Sequence, residues 1–244
     1  MGSQASRTEP RTSLSGGLNL GRRPQERWTS MVGRIANAFG MVFVLVVATY
    51  IVGSLVSYRS WGGVVLLALT GACAAVALAT AGTTVGRVRI AAALAGAAVV
   101  LAAIGVAAGG SAPFGIAALI QALLLGIAAV KVLGAVLGER EVGFRTILGA
   151  ISVYVILGLL FTFVYAGLDR FQAGSFFDQP TQTGDFLFFS ITTLTTTGYG
   201  NLIPAAQPGR MLSGLEMLMG QIFLVTLIAG LVSLWRPGSS GRRS

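Results

Sequence analysis

The sequence predicts an all-α membrane protein with six transmembrane helices and one shorter, re-entrant helix. Of its 244 residues, 54% are hydrophobic and only 10% are charged, a balance typical of proteins that cross a membrane several times. Mean hydropathy is +0.80. Several apolar runs exceed the ~20 residues that a helix needs to cross the hydrocarbon core. One further run is about half that length, which favours a helix that enters the membrane without crossing it.

The apolar segments follow a polar amino-terminal stretch, residues 1–30, which is rich in Ser, Gly, Arg and Thr. Because this stretch shows no apolar period, we predict that it is a disordered cytoplasmic tail. The predicted transmembrane segments cover residues 35–57, 62–83, 88–108, 113–137, 144–168 and 210–235, and the half-length run covers 185–195. The second to fourth segments are dense in Ala and Gly, which lets helices approach closely in lipid.

Basic residues lie at the ends of the segments and give the formal net charge of +9. The arginines before the first segment are Arg7, Arg11, Arg22, Arg23, Arg27 and Arg34. The loop after the second segment, together with the start of the third, holds Arg87 and Arg89. The loop after the fourth segment, together with the start of the fifth, holds Arg140 and Arg145. Of the intervening loops, the first holds only Arg59, the second holds no basic residue and the stretch 169–209 holds only Arg170. This alternation predicts a multi-pass protein of a cell membrane, plasma or inner, with both termini in the cytoplasm.

Several function classes find little support in the composition. The chain has no His, and its single cysteine, Cys73, lies within an apolar run. We therefore expect no enzyme activity and no organic cofactor, since no nucleophile–base arrangement is present. The basic residues do not interleave with aromatic residues on a folded face, so we expect no nucleic-acid partner. Lys131 is a single charge in the fourth segment, which favours a snorkelling side chain over a voltage sensor with several regularly spaced arginines.

The stretch from Asp185 to Pro204 carries the functional signal. It reads as a short apolar helix, then a Thr-rich turn, then glycines at alternate positions, Gly198 and Gly200, and an exit that contains proline. Irregular backbone at membrane depth is tolerated only where it is buried or lines a water-filled cavity. Glycine adopts a left-handed backbone at little steric cost. Alternating glycines thus allow successive carbonyl groups to point toward one axis.

This stretch resembles the selectivity filter of tetrameric potassium channels, in which four TVGYG loops replace the hydration shell of the ion. Its filter sequence is Thr196-Thr197-Gly198-Tyr199-Gly200. The resemblance implies a homotetramer whose carbonyl groups of Thr196, Thr197, Gly198 and Tyr199, with the Thr196 hydroxyl, coordinate K⁺. Thr197 stands where the family has Val, which backbone coordination tolerates.

The resemblance extends over residues 139–236, which we expect to form the pore domain of outer helix, pore helix, filter and inner helix. Residues 31–138 then form a four-helix amino-terminal membrane region, and residues 237–244 a short cytoplasmic tail. Asn201 replaces the Asp that follows the filter in most members, which bears on inactivation. Phe188 and Phe189 fall on the aromatic cuff behind the filter.

Two residues of the sixth segment have alternative interpretations. The carboxylate of Glu216 either supports the filter by a hydrogen bond near Thr192 or Ser190, or faces water at the outer mouth. A buried carboxylate in a membrane is costly unless it is paired. Gly220 falls on the inner-helix glycine that the family uses as a gating hinge. The alternative interpretation is that Gly220 is a small residue needed only for helix packing.

A K⁺-selective channel is the leading functional hypothesis. A poorly selective cation channel and a non-conducting membrane scaffold subunit are the alternatives. A secondary transporter is disfavoured. Such a protein is expected to have interrupted helices in paired halves, with ionisable residues inside the membrane, and the first half of this chain offers only Lys131.

Overall fold

The computed structural model describes residues 24–55, 61–138, 143–180 and 184–234. Within these ranges the chain forms seven helices and no extended strand. The helices are α1 (Pro24–Leu55), α2 (Trp61–Thr80), α3 (Val85–Ala108), α4 (Ala112–Leu137), α5 (Phe144–Asp169), α6 (Asp185–Leu194) and α7 (Gly209–Leu234). The chain divides into two compact units, residues 1–34 and 35–244. Helices α2 to α7 belong to the second unit, and α1 begins in the first.

Five of the described helices, α2, α3, α4, α5 and α7, are long and apolar enough to cross a membrane. The described apolar part of α1, Gly40–Leu55, is shorter than a full crossing. The predicted all-helical membrane fold is therefore confirmed, whereas the sixth crossing stays a prediction. For α2 to α7 the predicted segment ends lie within three residues of the observed ends.

The start of α1 corrects one prediction, because the helix begins at Pro24 and residues 24–30 were assigned to a disordered tail. Proline suits the first helical position, where its missing N–H would have no partner. Gln25, Glu26 and Arg27 follow and are good helix formers. A helix can thus begin without an apolar period. The rest of that tail, and residues 237–244, lie outside the described residues.

Small residues bring α2, α3 and α4 together, as their Ala and Gly content predicted. A Cβ built on Gly71 of α2 would lie only 2.8 Å from the Cβ of Ala95 in α3. Ala98 of α3 and Ala118 of α4 are fully buried. In lipid there is no hydrophobic driving force between helices, so van der Waals contact between closely packed backbones stabilises their association.

The α4–α5 contact joins these helices to the rest of the second unit. A Cβ on Gly167 of α5 would lie 2.8 Å from Leu119 of α4, and the guanidinium of Arg170 lies 4.9 Å from the ring centre of Phe114. Beyond α5, the short helix α6 packs against both α5 and α7. A cluster of aromatic rings fills the space behind α6: Tyr165, Phe176, Phe177, Phe186 and Phe189.

Candidate ion-conduction site

The helix α6 ends in a left-handed turn that opens into the predicted filter. The N–H of Thr196 donates to the carbonyl of Thr193 at 2.9 Å, and the N–H of Thr197 donates to that of Thr192 at 2.8 Å. This pair of bonds is a Schellman motif, which satisfies the last carbonyls of a helix. Thr196 takes the left-handed position with φ of 56°, a site where glycine is usual. The chain is thereby turned away from the helix axis at the first filter residue.

The predicted filter residues, Thr196 to Gly200, are exposed in the single chain. Gly198 and Gly200 have positive φ of 50° and 77°, the conformation for which alternating glycines were expected. The N–H of Gly198 also donates to the carbonyl of Thr192, at 3.1 Å. Thr192 therefore contacts the filter through its carbonyl, whereas its hydroxyl donates to the carbonyl of Phe189.

The two predicted cuff residues have different surroundings. Phe189 is buried in the aromatic cluster, where its ring meets Tyr165 and Phe176. Phe188 is half exposed and stacks on Tyr199 of the predicted filter, with 5.6 Å between ring centres. Because Phe188 and Phe189 are adjacent in one helix, they point to different sides. Phe189 packs α6 against the aromatic cluster, and Phe188 contacts the predicted filter directly.

The segment that precedes α6 forms hydrogen bonds with the chain at the exit of the predicted filter. The side-chain amide of Gln179 donates to the carbonyl of Asn201 at 2.8 Å. Next to it, the N–H of Asp178 donates to the carbonyl of Ile203, and the N–H of Ala205 donates to that of Phe176. These bonds fix the position at which the chain leaves the filter.

Glu216 lies behind α6, fully buried, with hydrogen bonds to both neighbouring helices. The hydroxyl of Tyr165 on α5 donates to its Oε2 at 2.6 Å, and the hydroxyl of Ser190 on α6 donates to its Oε1 at 2.5 Å. Ser190 also lies 2.7 Å from the carbonyl of Gly158. The expected contact with Ser190 is present, and the water-facing interpretation is wrong because no part of the side chain is exposed. A role in filter support stays a prediction.

Gly220 lies where α7 packs closely on the end of α6. A Cβ at this position would overlap the carbonyl oxygen of Leu194, so only glycine fits there. The same carbonyl accepts a hydrogen bond of 3.2 Å from the hydroxyl of Tyr154, whose ring stacks on Phe223. The helix α7 continues through Gly220 without a break. A hinge at this residue stays a prediction, while its packing role is visible.

Residues 149–236 match a family model described as ion channel. This part of the chain is similar to ion-channel pores. The match runs from α5 through the predicted filter to the end of α7. No curated protein and no solved structure matches the chain. Together with the five helices long enough to cross a membrane, the match supports a membrane protein that transports ions.

Three contacts in or next to the region that matches the ion-channel family were not predicted from the sequence. They involve Gln221, whose amide donates to the Thr196 hydroxyl at 2.9 Å, Gln179 at the filter exit and Tyr165 behind α6. Tyr165 and Glu216 are separated by 51 positions, so no local pattern links them. The sequence did contain one indication of the Gln221 contact. A glutamine in this strongly apolar part of the predicted inner helix needs a polar partner.

Proposed function

We propose that the chain is one subunit of a K⁺-selective homotetrameric channel that conducts K⁺ passively across a cell membrane, plasma or inner. Each subunit contributes six transmembrane helices, one pore helix and one filter strand, and both termini lie in the cytoplasm. K⁺ is the permeant substrate. Its ligands are the carbonyl groups of Thr196, Thr197, Gly198 and Tyr199, together with the Thr196 hydroxyl. Gly200 and Asn201 complete the filter geometry.

The observation that carries the proposal is the exposure of the Thr-rich filter between two helices long enough to cross the membrane. Thr196 and Thr197 are exposed in the single chain, as is the backbone of Gly198. Polar groups and irregular backbone cannot face lipid hydrocarbon. They need a protein partner or a water-filled pore, and a symmetric set of identical chains provides both.

The exposed face of α7 supports the same assembly. Leu218, Ile222 and Val225 are each more than 60% exposed and lie three or four residues apart, on one face of α7. In a homotetramer this face covers the neighbouring subunit around the pore. The chain supplies a single filter motif, so four copies are needed to surround an ion.

The direction of α6 adds an electrostatic contribution. Its carboxyl end leads directly into the filter, and a helix carries about half a negative charge at that end. Asp185 lies in the first turn, at the positive end of the same helix. Four such helices that converge on one axis favour a cation below the filter.

The test is ion flux into liposomes that contain the purified full chain, with K⁺ and Na⁺ gradients applied in turn. We expect fast, Ba²⁺-sensitive K⁺ flux with negligible Na⁺ flux. Gly198→Ala should abolish this selectivity because φ there is positive, whereas Gly96→Ala is a matched control, since a Cβ at Gly96 meets open space. Comparable Na⁺ flux would indicate a poorly selective cation channel, slow coupled flux a transporter, and no flux a scaffold subunit.

A further inference from the structure

A side chain of the helix α7 hydrogen-bonds to the first residue of the predicted filter. The Nε2 of Gln221 donates to the Oγ1 of Thr196 at 2.9 Å. The preceding residue, Gly220, packs on the carbonyl of Leu194 with no room for a Cβ. This close contact fixes the position of α7 along the end of α6. Gln221 is therefore held at the level of the first filter residue.

Thr196 needs such a contact because its backbone is strained. Among the described residues it is the only residue other than glycine with positive φ, and a β-branched side chain is unfavourable in that region. The Schellman bonds at Thr196 and Thr197 hold the backbone. Within the described ranges, the hydroxyl of Thr196 has Gln221 as its hydrogen-bond partner. The side chain is thus oriented by α7 and not by α6.

We propose that Gln221 is a positioning residue that orients the Thr196 hydroxyl toward the permeating ion. This inference rests on the proposed K⁺ channel, in which Thr196 is the filter residue nearest the end of α6. The Nε2 of an amide is a donor only, so the Thr196 oxygen acts as the acceptor. One lone pair of that oxygen is used by Gln221, and the second is left for the ion. The affinity of the innermost ion site then depends on a residue of the inner helix.

The measurement is block by Ba²⁺ in bilayer recordings of the full-length tetramer, with Ba²⁺ added on the side of the carboxyl end of α7. Ba²⁺ is close to K⁺ in size but doubly charged, so it binds tightly where K⁺ is coordinated. Gln221→Met keeps the length of the side chain and removes its donor. We expect the half-blocking Ba²⁺ concentration to rise about five- to tenfold, as for the loss of one hydrogen bond. Ile104→Met, at an exposed position of α3, should leave it unchanged.

A double-mutant cycle separates positioning from a general structural effect. If Gln221 acts through the hydroxyl, Gln221→Met should have no further effect on Ba²⁺ block when Thr196→Ala is already present. It should keep its full effect with Thr196→Ser, which retains a hydroxyl. Additive effects of Gln221→Met and Thr196→Ala would overturn the inference. If Gln221→Met does not form the wild-type oligomer, Gln221→Asn replaces it, since its amide is one methylene too short to reach Thr196.

The controls distinguish this inference from the proposed function. A wild-type protein without K⁺-selective flux contradicts the proposed function itself. A wild-type protein that is K⁺-selective, and whose Ba²⁺ block is the same in the Gln221 variants, contradicts only the positioning role.

Discussion

At the scale of single residues, Glu216 ties α7 to both of the helices beside it. Glu216→Leu removes the carboxylate that accepts hydrogen bonds from the buried hydroxyls of Tyr165 and Ser190. The loss of two buried hydrogen bonds to a carboxylate should destabilise the fold by about 2–4 kcal/mol. We expect a lower midpoint of thermal unfolding in detergent.

Glu216→Gln is the matched control for this change. Its carbonyl oxygen can accept from Tyr165 while its NH₂ group donates to Ser190, and Ser190 then donates to the carbonyl of Gly158. The variant should therefore retain most of the stability that Glu216→Leu loses. Equal losses in the two variants would contradict the hydrogen-bond assignment.

Gly220 offers a second residue-scale prediction. Gly220→Ala places a Cβ on the carbonyl oxygen of Leu194, a backbone atom that cannot turn aside. The helix α7 must then shift away from the predicted filter. In the proposed K⁺ channel we therefore expect lower K⁺ flux from proteoliposomes with equal protein content. Gly214→Ala and Gly230→Ala lie on the same helix where a Cβ meets nothing within 4 Å, so both should keep wild-type flux. Reduced flux in all three variants would instead indicate sensitivity of α7 to any added methyl group.

At the scale of elements, hydropathy predicted the lengths of the helices, because crossing length depends on the number of apolar residues. Hydropathy does not predict which faces meet, since a membrane helix is apolar on most sides. The contact of Glu216 with Ser190 could be expected because a buried carboxylate needs a donor nearby. The contact of Gln221 with Thr196 could not, because it depends on the register that Gly220 sets between α6 and α7.

The contact between α4 and α5 leads to an element-scale prediction. A Cβ at Gly115 would lie 2.8 Å from the Cβ of Arg170 and 2.9 Å from the ring of Phe171. Gly115→Val should therefore push α4 away from the end of α5, at a cost of about 1–3 kcal/mol for overpacking. We expect a lower midpoint of thermal unfolding in detergent. Gly134→Val, in the same helix where a Cβ meets nothing within 4 Å, is the control and should unfold near the wild-type temperature.

At the scale of the whole molecule, the chain has few charged residues that the transmembrane potential could move. Moving one elementary charge through the full potential is worth ~2.3 kcal/mol per 100 mV, so steep voltage dependence requires several charges within the field. Lys131 is exposed on α4, within two turns of its end at Leu137, where a long side chain reaches the interface. We expect currents to vary only weakly with voltage over about ±100 mV.

Lys131→Gln tests this expectation in planar bilayers. Because the Lys131 charge lies near the interface, its removal should leave the relation between open probability and voltage unchanged. Lys131→Leu is the companion variant, since it removes the polar group as well as the charge and should have no larger effect on that relation. A steep voltage dependence in the wild type that weakens in both variants would mean that α4 moves its charge through the field, and that the first four helices act as a voltage sensor after all.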